Sequence, residues 1–106
     1  MTVSSSFWAK NVSLPYPSND IACILLLTIY QYGAGFLGVL QIFNSKTDEL
    51  ITTLWMDKDI LPYLAGSMDS RDSEDLGRVI LGHYNVQKAS DLINPEKRQK
   101  TEVIRG

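Results

Sequence analysis

The sequence predicts an α+β domain, an antiparallel β-meander of three to four strands packed by one or two short helices. Three observations predict it. Residues 21–45 carry no charged side chain and are mostly Ile, Leu, Val, Phe and Tyr. Gly33-Ala34-Gly35 cuts that run in its middle, and glycine supplies turn conformations that other residues resist. A third apolar run, at 50–56, follows the polar turn Asn44-Ser45-Lys46-Thr47-Asp48. Short apolar runs separated by turn residues are the signature of a meander.

The elements follow in order. A chain of 106 residues suits one domain, with a core large enough to need no disulfide or metal. Residues 1–20 read as an N-terminal arm, 21–94 as the α+β domain, and 95–106 as a charged C-terminal tail. In the arm, Pro15 and Pro17 favour an extended path. Phe7 and Trp8 are expected to pack back as a lid, with Trp8 as a partner anchor in the sharper reading. Residues 21–30 form a first strand, 31–35 a turn, 36–43 a second strand and 50–56 a third. The first two strands are apolar on both faces, so they are expected to be central and covered on both sides.

The run from 21 to 43 is also about the 20 residues that a bilayer-spanning helix needs. Residues 30–35 would then lie at the bilayer centre, and neither end has a Lys/Arg cluster. The hairpin is therefore the preferred reading and the span its alternative. Further along, Asp57 or Asp59 caps a short helix through 60–64, with Pro62 in its first turn and Gly66 at its end. Residues 67–75 form an acidic loop. Residues 77–86 contain Val79, Ile80 and Leu81 and read as a fourth strand, because two glycines within six residues weaken a helix. The competing signal is Ser73 with Glu74 and Asp75, which would cap a helix running to Tyr84. A short helix over 87–93 ends before Pro95.

Charge is mild overall, -2, but polarised. Residues 1–45 are neutral, 46–75 net acidic and 76–106 net basic. This layout argues against nucleic-acid binding, which needs a strong positive face. The short basic run Lys97-Arg98-Gln99-Lys100 lacks an aromatic platform and reads as a solvated end.

Motifs with chemical meaning are weak. Gly33-Ala34-Gly35-Phe36-Leu37-Gly38 fits the dinucleotide-binding string, yet a strand rather than a helix follows it. The loop Asp69-Ser70-Arg71-Asp72-Ser73-Glu74-Asp75 resembles a calcium loop in composition, but Arg71 stands at a ligand position and the glycine is missing. Ser70 and Ser73 among these acids fit phosphate acceptors only at the level of pattern. Asn11-Val12-Ser13 matches a glycosylation acceptor, which matters only in a secreted chain. Cys23 is the only thiol and His83 the only imidazole, so neither a disulfide framework nor a cysteine-rich metal site is available. A Cys23–His83 nucleophile pair lacks a visible supporting acid.

These readings point to a non-catalytic protein-binding module of the inhibitor, immunity or adaptor type, or a small subunit of a larger assembly. No cofactor or metal is expected. The expected face is acidic: Asp57, Asp59, Asp69, Asp72, Glu74 and Asp75, with Trp8 as an apolar anchor. The partner would be a protein with a basic surface, or a second copy joined head to tail. The alternatives are a single-pass membrane subunit and a small-molecule or nucleotide-binding domain at the 33–38 turn. The first residues lack the basic start and apolar segment of a signal peptide, so the expected compartment is the cytoplasm.

Overall fold

The computed structural model describes residues 5–98. Four strands, β1 (Ser5–Val12), β2 (Cys23–Tyr32), β3 (Gly35–Asn44) and β4 (Leu50–Trp55), precede three helices, α1 (Leu61–Ser67), α2 (Ser73–Tyr84) and α3 (Ala89–Leu92). The strands form one antiparallel sheet in the order β1-β2-β3-β4. The α+β meander read from the sequence is therefore the fold, with three short helices.

The β2–β3 hairpin forms where the glycines fall. Tyr32 pairs with Gly35 across a two-residue loop, and Gly33 has φ 61°. Short hairpin turns need that left-handed backbone, which costs glycine little. The polar turn before β4 is tied by the Asn44 side chain, which accepts from the backbone N–H of Lys46 and Thr47. A register shift at Ile42/Phe43 sets Phe43 opposite Leu50 and Ile42 opposite Thr52. Ile51 is left over as a bulge residue, which bends the edge strand.

Residues 5–12 are no separate arm, since β1 adds a full edge strand along β2. Its inner face is Trp8, Lys10 and Val12. Lys10 Nζ donates to the carbonyls of Met68 and Arg71 at 2.9 and 2.5 Å, satisfying the acceptors that follow α1. The Ser13 N–H donates to the Ser73 carbonyl at 3.1 Å. The fourth strand thus comes from the N-terminal segment.

The strand expected over 77–86 is instead the body of α2. Asp72 sits at its N-cap and accepts from the Asp75 N–H at 2.8 Å, while Glu74 and Asp75 lie in the first turn, where acids suit the helix dipole. Leu76, Ile80, Leu81 and Tyr84 recur at helical spacing and are buried. Asn85 ends the helix in the left-handed conformation. The two glycines do not break it. Gly77 is required, because a Cβ there would lie 2.4 Å from the Ser13 carbonyl oxygen. Gly82 faces open space.

α1 begins without the expected cap: Ile60 is its N-cap residue and makes no side-chain cap bond. Gly66 lies inside α1 rather than at its end, and Pro62 stands in the first turn as expected. α3 is capped from a distance. Asp20, in the β1–β2 connection, accepts from the Ser90 N–H at 3.0 Å and from its hydroxyl at 2.5 Å.

The core lies between the inner face of the sheet and the three helices. Leu25, Leu27 and Ile29 of β2, Leu40 and Ile42 of β3, and Leu54 of β4 meet Leu61, Leu64, Leu76, Ile80 and Leu92. Each fully buried Leu or Ile contributes about 1.5–3 kcal/mol by leaving water. No helix of the described residues is long and apolar enough to cross a membrane, and residues 21–43, the expected span, are two strands and their turn.

The two α2 glycines give opposite predictions. Gly77→Ala forces a methyl against the β1–β2 connection and is expected to cost about 1–3 kcal/mol, as overpacking does. Gly82→Ala, in an open helical position, is expected to stabilise by about 0.5–1 kcal/mol. Urea unfolding of both variants measures the two signs.

Candidate functional site: the outer face of the sheet

Alternation along each strand sends every second side chain away from the helices. The pairing register arranges those residues in rows across the sheet. Phe7, Tyr30 and Leu37 form one row, and Ala9, Thr28, Val39 and Trp55 the next. Asn11, Leu26, Gln41 and Thr53 follow, then Ile24, Phe43 and Leu50. Tyr32 extends the first end beside Gly35. No position in these rows carries a formal charge.

All three helices contribute to the core on the inner face, and among the described residues none of them lies over the outer face. Phe7 is 62%, Tyr32 70%, Leu37 49% and Trp55 62% exposed, and Ile24, Tyr30 and Leu50 are exposed as well. Leu26, Val39, Gln41, Phe43 and Thr53 are half-buried between their neighbours. The Phe7 and Tyr30 rings lie 5.3 Å apart, centroid to centroid, across β1 and β2. The expectation that β2 and β3 are covered on both sides is thus corrected: their apolar outer residues meet no helix.

The residues expected to form an acidic face are divided. Asp72, Glu74 and Asp75 cluster at the start of α2, with the exposed Asp69 just before it. Asp57 and Asp59 lie by the end of α2, about 16 Å away at 1.5 Å rise per residue from Asp72 to His83. Most of these acids have local partners. Asp72 caps the helix, Glu74 and Asp75 both pair with Arg78, and Asp57 Oδ2 lies 3.1 Å from His83 Nε2. Arg71 lies with its guanidinium 5.3 Å from the centre of the Tyr63 ring and donates to the Tyr63 hydroxyl. Trp8 is half-buried, packed on the core from the inner side of β1. It lies on the opposite face from its neighbour Phe7.

One further group of donors comes together. Asp57, Asp59 and His83 each offer a ligand atom, all within 4.8 Å of one another. The His83–Asp57 contact ties the end of α2 to the segment before α1, and the His83 ring stands edge-on to Tyr84, 4.8 Å between centroids. Burial pushes the Tyr84 phenol up, with the Asp57 charge adding to the effect. A cleft of about 190 Å³ opens nearby, lined by Leu54, Trp55, Asp57, Tyr84, Pro95 and Arg98. Its lining includes no residue of 33–38, and it is smaller than the roughly 300–1,000 Å³ of an ordinary small-molecule pocket.

Cys23 and His83 have different partners. The thiol donates to Asn19 Oδ1 at 3.3 Å, and burial raises its pKa, which makes the thiolate harder to form. No family model, curated protein or solved structure matches this chain.

The Asp20–Ser90 contact gives a pH prediction. The Ser90 hydroxyl holds the Asp20 carboxyl below its ordinary value. A lowered folded-state pKa contributes stability above the unfolded value, which is lost as pH falls through the folded one. Asp20→Ala should therefore melt below the wild type at pH 7. The gap in Tm should close as pH drops below the usual aspartate range, which is measurable by circular dichroism.

Proposed function

We propose that this chain is a non-catalytic protein-binding module, or a small subunit of an assembly, that binds through the outer face of its sheet. The observation that carries this reading is the continuity of that face. Exposed aromatic and aliphatic residues from all four strands lie side by side with no charge among them. Single exposed apolar residues are ordinary, but a contiguous patch of several hundred Å² marks an interaction surface. Aromatic side chains bring a large apolar area at low rotamer entropy, which suits them to anchor a partner.

The charge pattern defines the partner. A charged group set on this face would lose its water and find no opposite charge, a cost of several kcal/mol per ion. The complementary surface is therefore flat, apolar and uncharged rather than basic. The acidic residues support the fold locally and, where exposed, leave a charged exterior around the helices.

Affinity purification of the full chain, with an untagged copy expressed beside the tagged one, tests the assignment. Three forms are compared: wild type, Leu37→Lys, and the fourfold exchange of Asp69, Asp72, Glu74 and Asp75 to Lys. A protein that copurifies with wild type should be lost with Leu37→Lys and kept with the fourfold exchange. Thermal melting checks that each variant is folded. The reverse pattern would return the function to the acidic surface.

A further inference from the structure

We infer that the occupant of the outer face is a second copy of the same chain, packed face to face so that two four-stranded sheets form a sandwich. This rests on the outer face being the binding surface. Three properties of that face point to self-association.

The first is charge. A face that binds its own copy sets residue i against residue j and j against i, so a charge near the axis meets its own like, and one elsewhere on an apolar face is buried without a partner. The outer rows carry none. Their accessible polar members, Asn11, Gln41 and Thr53, are amides and a hydroxyl, while Thr28 in the same face is buried. Such groups both donate and accept, so each can bond an amide or hydroxyl of the second copy across a two-fold axis.

The second is area. The exposed fractions of Phe7, Ile24, Tyr30, Tyr32, Leu37, Leu50 and Trp55 are known. With aromatic side chains of about 150–250 Å² each and aliphatic ones somewhat smaller, these fractions sum to roughly 700 Å². The half-buried residues between them add to this. A specific interface takes about 800 Å² from each partner. The face is thus of the size a stable dimer needs, without help from the edges.

The third is shape. Strands of L-residues give every sheet the same right-handed twist. Two sheets of the same twist pack face to face at about 10 Å separation, with strand directions some 30° apart. A copy of this sheet therefore has the curvature that fits it, and alternation supplies matching rows of side chains. The arrangement also completes the layering: β2 and β3, apolar on both sides, become covered by helices on one side and by the partner sheet on the other.

Sedimentation equilibrium and light scattering on the full-length chain test this from about 1 to 200 µM, a range set by the weak-to-tight spread of interfaces of this size. Wild type should run at twice the monomer mass of 11.9 kDa. The dimer should persist or tighten in about 1 M salt, because apolar burial is not screened. Leu37→Lys and Trp55→Lys each bring two like charges into the interface and should weaken the dimer at least about tenfold, with far-ultraviolet circular dichroism unchanged. Leu37→Met, which keeps the apolar area, should dimerise like wild type.

A monomeric wild type across this range would overturn the inference. If Leu37→Lys still abolished capture of a different protein in the preceding experiment, the binding face would stand and only its occupant would change. A dimer that dissociates in salt and ignores Leu37→Lys would overturn it in favour of head-to-tail contact between the acidic and basic segments. Cosedimentation of monomer with phosphatidylcholine vesicles, lost in Leu37→Lys, would overturn it in favour of a lipid surface.

Discussion

Three short helices can cover only one face of a four-stranded sheet, and the rest of the structure follows from which face they take. The helices α1, α2 and α3, of seven, twelve and four residues, pack their buried sides on the inner face. There Leu27, Ile29, Leu40 and Ile42 are completely buried beneath Leu61, Leu64 and Leu76. The edge strand β1 is held to that layer by polar contacts as well as packing. Lys10 reaches the carbonyls after α1, and the backbone of Ser13 bonds the start of α2. Gly77 lets α2 approach that segment closely. Among the described residues nothing comparable lies over the outer rows.

The charged residues fall into place as consequences of this layout. An acid at an N-cap or in a first turn stabilises a helix wherever it lies in the fold. Asp72, Glu74 and Asp75 have that position in α2, and Asp20 serves α3 from a different part of the chain. Asp57 is joined to His83 near the other end of α2. An acidic segment that looks continuous in sequence is therefore divided by a helix and largely engaged with its own neighbours. The uncharged sheet face, by contrast, has exposed apolar side chains with no covering layer among the described residues, and water is a poor neighbour for them.

Much of the meander was legible because its signals are local. Gly33 at the hairpin, Asn44 at the next turn and the apolar runs between them act within a few residues. The structure departs from the sequence expectation where local signals conflict and where a distant segment decides. Residues 77–86 read as a strand when their glycines are weighed as helix weakeners. Asp72 at the N-cap and the helical spacing of Leu76, Ile80 and Tyr84 are the opposing local signals, and they prevail. The Gly77 requirement depends on Ser13, sixty-four positions earlier, and no local pattern reports it. Likewise the strand character of residues 5–12 depends on an open edge of β2 being available to pair with them. The outer face has a signal too: β2 and β3 are apolar on both sides, which predicts two covering layers where the helices supply one.

The sequence by itself determined the class of fold, the central hairpin, the turn positions and the apolar surplus of the two middle strands. These rest on side-chain alternation and backbone preference, which are properties of short segments. Only the tertiary structure decided which side of the sheet the helices cover, that β1 completes the sheet, and that Phe7 and Trp8 point to opposite faces. Those outcomes depend on register and on the limited area of the helices. The same register gathers Phe7, Tyr30, Leu37 and Trp55 from four strands onto one uncharged surface, an assembly no single segment of the chain displays.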